Sequence, residues 1–391
     1  VVSRDSLTGK RHAPDLKLSS TPPDRREEAP ITFGRTPVAT SRVIGLDIGS
    51  SCVRAVEVEF GSGGPTGKTP PTLARFGEVP LPLGAVRDGE VIQPETVSSA
   101  LRQLWAQVKF ESKDVNIGVG NQRVIVRDLE LPWMPLAQLK ASLPFQVTEL
   151  LPMATEQALL DYHPTAEYDS ERGRMVRGML VAAQRDTVNA NIVAVEAAGL
   201  RPQMVDLNAF ALVRSLARGD LAQRTVAFVD IGAAITTVVI TAAGTPQLVR
   251  SLPLGGQSIT AAIASTLGIA AADAELLKRQ LGVGYAVADG NAGAAEAITE
   301  VVRTLIEAVR NTFAYYTSSH PGAGIDVAVL TGGGASLMGI GQYLSSASRL
   351  PVMLGDPTAG LRTAKTLPRE SLNGYESLIA LPVGLAYGVA A

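Results

Sequence analysis

A chain of 391 residues with 46% hydrophobic content has room for two or more cores, and 35 basic against 37 acidic residues give a net charge of -2. That balance excludes a global basic field drawing the chain to nucleic acid or anionic lipid. A single cysteine, Cys52, and three histidines exclude an intramolecular disulfide framework and leave little for a His-based zinc site.

Residues 1–40 are rich in Pro, Ser, Thr, Arg and Lys with little apolar periodicity, so they read as a disordered tail whose true length the starting Val leaves open. From Val43 onward short strands alternate with helical stretches, the pattern of an α/β protein. "PETVSSALRQLWAQVKF" sets Val97, Leu101, Leu104, Trp105 and Val108 at steps of three and four, an amphipathic helix starting near Pro94. "DVNIGVG" and "RVIVRDLELP" alternate as strands, "PLAQLKASLPFQVTELLP" is helical but interrupted by Pro144, and "RMVRGMLVAAQ" returns to strand. A helix ending at Gly199 follows, then a strand and helix in "RPQMVDLNAFALVRSLARG", and the first half closes near Gly219. No run of about 18 uncharged apolar residues and no secretory apolar core is present, which reads as a cytoplasmic chain.

Two segments echo each other. "VIGLDIGSSCVRAVEVE" (43–59) and "VAFVDIGAAITTVVIT" (226–241) each run from an apolar strand through Asp-Ile-Gly and two small residues into a second strand. The separation suits two related domains rather than a solenoid. A tight turn after a strand leaves backbone N–H groups free to bind an anion, and glycine lets a ligand approach. Gly49, Ser50 and Ser51 would form one jaw, and Gly232, Ala233 and Ala234 the other. Asp47 and Asp230 sit badly beside phosphate unless a cation lies between, and magnesium, which keeps its waters, suits two such carboxylates. A lone aspartate of this kind more often caps its turn. The pair favours a magnesium-nucleotide.

"IDVAVLTGGGASLMGIGQYLS" (325–345) adds a strand entering Thr331, Gly332, Gly333 and Gly334, with a helix expected from Ala335-Ser336-Leu337 and its N-terminus lending positive potential. "SGGPTGKT" (62–69) nearly spells a P-loop, but Ser62 replaces the first glycine and Pro70 and Pro71 forbid the helix that must follow. Lys68 then faces solvent on a loop between strands.

With DIG at 47–49, DIG at 230–232 and TGGGA at 331–335, the chain resembles the actin, Hsp70 and sugar-kinase superfamily, and within it the FtsA-like branch and its PilM family of type IV pilus assembly. "LPFQVTELLPM", "LLDYHP", "VAAQRDTV", "AAGLRPQMVDL" and "LPVGLAYGVAA" carry the PilM likeness. The resemblance covers residues 43 to 391. It implies an α/β fold of the actin-like ATPase kind: two RNase H-like domains around a nucleotide cleft, over 41–219 and 220–391, with a small inserted subdomain within about 112–190 and the last helix packing back on the first domain. It implies ATP and magnesium as cofactors. By position it assigns Asp47, Gly49, Ser50 and Ser51 to the first phosphate loop and Asp230, Gly232 and Ala233 to the second. Gly255 and Gly256 fall where relatives touch phosphate, and Gly332, Gly333, Gly334 and Ala335 on the adenosine motif. Glu275 and Lys278 match the pair that brackets adenosine, although three-residue spacing alone reads as a surface ion pair.

The resemblance also places a hydrolytic residue in the helix before the second phosphate loop, where Asn208 stands. An amide is no general base, so hydrolysis is expected to be slow or absent. Neighbouring Asp206 reads as a strand-end turn residue. The implied partner is the cytoplasmic N-terminal tail of the inner-membrane protein PilN, gripped beside the inserted subdomain, where Trp133 and Met134 are candidates for the groove or for the core. Membrane contact would be indirect, through partners at its inner face, with self-association open and no nucleic-acid partner. The alternatives are an FtsA-like division tether, against which the ending "LAYGVAA" without a basic amphipathic stretch argues, and a phosphotransferase of sugar-kinase type, for which no catalytic base can be named.

Overall fold

The computed structural model describes residues 2–3, 41–171, 173–285 and 288–388. The tail reading over 1–40 therefore falls outside the described residues, apart from a two-residue strand at Val2–Ser3.

Strands β1 (Ser41–Ile48), β2 (Cys52–Phe60) and β3 (Thr72–Pro80) form an antiparallel meander. β4 (Asp114–Val119) then lies parallel to β1, and β8 (Arg201–Leu207) parallel to β4. Across the sheet the order is β3-β2-β1-β4-β8, with Val2–Ser3 outside β8 and Arg362–Thr363 outside β3. Alternation along β2 divides its side chains between two layers. Val53 and Ala55 face α1 (Pro94–Val108) and α3 (Arg185–Ala197), whereas Val56, Val58 and Phe60 face the C-terminal segment. On α1, Val97, Leu101 and Leu104 are buried as their spacing predicts. The near-P-loop segment lies between β2 and β3, with a short 3-10 turn at Gly64–Thr66 and Lys68 exposed.

The second sheet repeats the first. β9 (Thr225–Ile231), β10 (Thr236–Ala242) and β11 (Thr245–Leu252) form the meander, β12 (Val327–Thr331) runs parallel to β9 and β13 (Val352–Leu354) parallel to β12. The order is β11-β10-β9-β12-β13, the same topology as before. Helices α5 (Gly256–Leu267), α6 (Ala271–Leu281), α7 (Ala292–Ser319) and α8 (Ile340–Ser348) supply its cover. Along α7, Ile298, Val302, Leu305, Ile306, Val309 and Phe313 form one buried stripe.

Between β4 and α3 the chain builds a separate sheet of β5 (Val124–Pro132), β6 (Ala158–Ser170) and β7 (Gly173–Gln184) in the order β5-β7-β6, all antiparallel. Helix α2 (Leu136–Gln146) packs on it through Leu139 and Leu143, with Tyr162, Val176 and Leu180 below. The Tyr162 hydroxyl lies 2.8 Å from Leu129 O and 3.2 Å from Val176 O, and burial pushes its phenol up to about 12. Pro144 lies inside α2 rather than interrupting it. The helix ends two residues later, so the missing N–H deprives only its last turn. Met134 is half-buried against this core, whereas Trp133 is exposed with the Arg174 guanidinium 4.5 Å above its ring.

Two helices fill the space between the sheets: α4 (Asn208–Leu216) and α9 (Ala380–Ala386). Their backbones come close because glycine allows it. A Cβ on Gly45 of β1 would lie 1.9 Å from Pro382 O, and one on Gly384 would lie 1.8 Å from Ala211 O. Asp206 serves this junction. It is buried, accepts the Leu207 amide at 2.8 Å and pairs with Arg214, whose Nε donates to Gly384 O at 3.2 Å. It is an anchor between β8, α4 and α9, a longer-range role than the turn its sequence position suggests.

Candidate functional site

Both aspartates stand at the carboxyl end of their strand, beside a parallel neighbour that runs toward its own carboxyl end, the edge at which open α/β sheets hold ligands. The turns close alike: Gly49 N donates to Cys52 O at 3.0 Å and Gly232 N to Ile235 O at 2.9 Å. The amides of Ser50, Ser51, Ala233 and Ala234 then have no acceptor among the described residues and stay available to an anion. Burial raises Asp47 to about 6 and Asp230 to about 7. For Asp230 the Asp47 charge adds to the rise, while Arg54 opposes it at both. Among the described residues no group of three or more His, Cys, Asp or Glu could hold a metal, so a cation here has two carboxylates and must take its other ligands from water or phosphate.

The glycine-rich segment packs directly on this turn. Gly332 has φ +82 and a Cβ there would stand 2.6 Å from both Asp230 Oδ1 and Ile231 O; one on Gly334 would stand 2.2 Å from Ile231 Cγ2. Gly333 and Ala335 complete a 3-10 turn over Gly333–Ser336, and α8 starts only at Ile340. The helix expected from Ala335 is thus delayed, because Gly339 takes φ +84 against Val283 O and breaks the run. Gly255 and Gly256 also lie on the second turn: Gly256 N donates to Gly232 O at 3.0 Å and Gln257 N to Ala233 O at 2.7 Å. The first amides of α5 therefore brace the turn. Glu275 and Lys278 form a closed network. Lys278 Nζ donates to Glu275 Oε2 at 2.6 Å, Thr260 Oγ1 at 3.0 Å and Gly256 O at 3.1 Å, which uses all three of its protons.

Asn208 opens α4 with its amide wedged under β4 and the residues after it. A Cβ on Gly118 would meet Oδ1 at 2.0 Å and one on Gly120 would meet Nδ2 at 2.8 Å. Its Oδ1 is buried without a hydrogen-bond partner among the described residues. An amide is no general base.

Arg54 is the residue the sequence reading missed. It is Asp47's partner in the β1–β2 register, and its Nη1 lies 3.9 Å from Asp47 Oδ2. The hairpin register carries it: the pair Ile48 and Val53 closes a four-residue connection, so Asp47 falls opposite Arg54.

Several known proteins resemble this chain. The chain matches the solved "PilM-PilN type IV pilus biogenesis complex" with TM-score 0.77 and 26% identity, over 88% of this chain and 97% of that one. The ethanolamine utilization protein EutJ from Carboxydothermus hydrogenoformans aligns with TM-score 0.52 and 14% identity over 90% and 91%, which speaks to the fold alone. Cell division protein FtsA of Bacillus subtilis (strain 168) is 22% identical over 62% of this chain, which spans 58% of that relative's length. The fold is that of the actin-like ATPases. A family model for the type IV pilus assembly protein PilM matches residues 45–388, most of the chain, and the chain belongs to that family.

Proposed function

We propose that this chain is a cytoplasmic ATP-binding scaffold of type IV pilus assembly that holds the N-terminal tail of the inner-membrane protein PilN and changes its grip with nucleotide. The observation that carries the nucleotide part is the paired turn: two hairpins with free amides, an aspartate at the strand end of each with the Asp47 charge reaching Asp230, and a glycine-rich segment pressed on the second. The donor set fits magnesium-ATP. Asp47 and Asp230 would hold the cation through its waters, and Ser50, Ser51, Ala233 and Ala234 would offer amides to phosphate, with Gly49 and Gly232 closing the turns. The bound cation would supply charge neutralisation between carboxylate and phosphate. Gly332, Gly333, Gly334 and Ala335 leave room for the adenosine side, and Gly255 and Gly256 brace the second turn. Glu275 and Lys278 would reach the ribose only by giving up part of their present network. Hydrolysis is slow or absent, in line with the confined Asn208 amide.

The partner assignment draws on family membership and on the likeness to the PilM-PilN complex. The FtsA reading is not favoured, since the family match spans far more of the chain. Among the described residues no single helix is long and apolar enough to cross a membrane, so attachment through a partner suits the chain. The inserted subdomain exposes Trp133, Leu136 and Leu150 by about two-fifths and Phe145 by 86%, an apolar surface fit for a tail. Anisotropy with a labelled PilN-tail peptide tests both parts, with and without Mg-ATP, in wild type and Asp230→Ala. Tight binding that shifts with nucleotide in wild type alone is expected. Equal affinities throughout would remove the coupling, and no binding would remove the partner.

A further inference from the structure

The chain crosses from the second sheet to the first through two adjacent carbonyls. Ser377 O accepts from Thr331 Oγ1 and from Gly332 N, at 3.1 Å, both in the glycine-rich segment beside Asp230. Leu378 O accepts from Arg54 Nη1 at 3.2 Å, on the hairpin of Asp47. α9 begins at Ala380 and lies against β1 and α4. Neighbouring peptide groups are thus held by opposite halves of the molecule, directly beneath the phosphate turns.

Arg54 faces three ways at this point. Its Nε and Nη2 grip Glu78 Oε2 at 2.9 and 2.7 Å, and Nη2 also lies 3.2 Å from Cys52 Sγ. Nη1 stands between Leu378 O at 3.2 Å and Asp47 Oδ2 at 3.9 Å. The side chain is only 12% exposed, so water screens these interactions weakly. The corresponding partner of Asp230 in the second hairpin is Thr237, which carries no charge. The link is therefore built on one side only.

We propose that Arg54 is a positioning residue that couples occupancy of the phosphate cleft to the crossing at Ser377–Leu378 and so to α9; this rests on the nucleotide-binding reading above. Without a ligand the guanidinium divides its attraction between Asp47 and Leu378 O. With Asp47 holding a cation, its carboxylate charge would be neutralised and Arg54 Nη1 would tighten on Leu378 O while Glu78 keeps the fork aligned. By linkage, an ordered crossing then favours the loaded cleft.

Hydrogen exchange of the full chain over 376–388 and 331–336 tests this, with calorimetry of magnesium and the β,γ-imido analogue of ATP measured separately. Wild type should bind the analogue and slow exchange in both segments. Arg54→Lys cannot hold Glu78 and Leu378 O together. It should exchange roughly tenfold faster over 376–388 without nucleotide, and lose the nucleotide-dependent slowing there while keeping it over 331–336. Glu78→Gln, which leaves Arg54 in place, should weaken the same response. If both variants bind the analogue and slow 376–388 as wild type does, or if wild type binds with no change there, the coupling is overturned and nucleotide binding stands. If calorimetry finds no binding in wild type, the nucleotide reading falls and takes this coupling with it.

Discussion

Asp47 and Asp230 are held where a carboxylate is costly without a cation, and that tension has a measurable sign. Each folded-state pKa, about 6 and about 7, lies above that of an unfolded chain, so the folded protein keeps protons that the unfolded chain has released. Their contribution to stability is full below the ordinary aspartate pKa near 4 and is lost progressively as pH rises from there through about 6 and 7. Chemical denaturation of nucleotide-free protein should therefore show a stability decline across that window. Asp230→Asn should flatten the decline and leave the protein more stable than wild type at pH 8, while Mg-ATP affinity measured by calorimetry falls at least about tenfold, the loss of roughly one charged interaction. A variant with equal pH dependence would mean that Asp230 is already ionised and satisfied.

At the scale of elements, α9 is a short helix whose docking depends on the absence of side chains beneath it. Gly45→Ala would place a Cβ 1.9 Å from Pro382 O, a backbone atom with nowhere to go. We expect a loss of about 1–3 kcal/mol or more by denaturant titration. α2 separates stability from binding along one helix. Leu143, fully buried, should lose about 2–5 kcal/mol on truncation to Ala, much of it confined to melting of the inserted sheet. Phe145, two residues on and 86% exposed, should leave stability within about 0.5 kcal/mol when changed to Ser, yet weaken PilN-tail binding. Unaltered peptide affinity would move the partner surface off this helix.

The whole molecule is a repeated sheet topology joined by two crossings, α4 and the Ser377–α9 segment, with the proposed nucleotide site between the two aspartate hairpins. A ligand that binds only the folded, assembled cleft stabilises it by mass action: at a hundredfold excess over its Kd, by about 2.7 kcal/mol. Thermal scans should show that shift with Mg-ATP and lose it in Asp230→Ala. An equal shift in both would place the nucleotide elsewhere.

The repeated hairpins with their strand-end aspartates and the glycine-rich turn are legible in the sequence, because turn chemistry and strand alternation act over a few residues and leave a local pattern. The sequence also marked α1 by the spacing of Val97, Leu101 and Leu104. Arg54 was legible through the hairpin register but needed the pairing to be drawn. The remaining features come from contacts between segments distant in the chain. Those contacts turned Asp206 into an anchor for α9, locked Lys278 onto α5, delayed α8 to Ile340 and set Leu378 beside Arg54, more than three hundred residues away in the chain. Those outcomes depend on which backbones meet across the core, and a contact between distant segments leaves no local periodicity in either one.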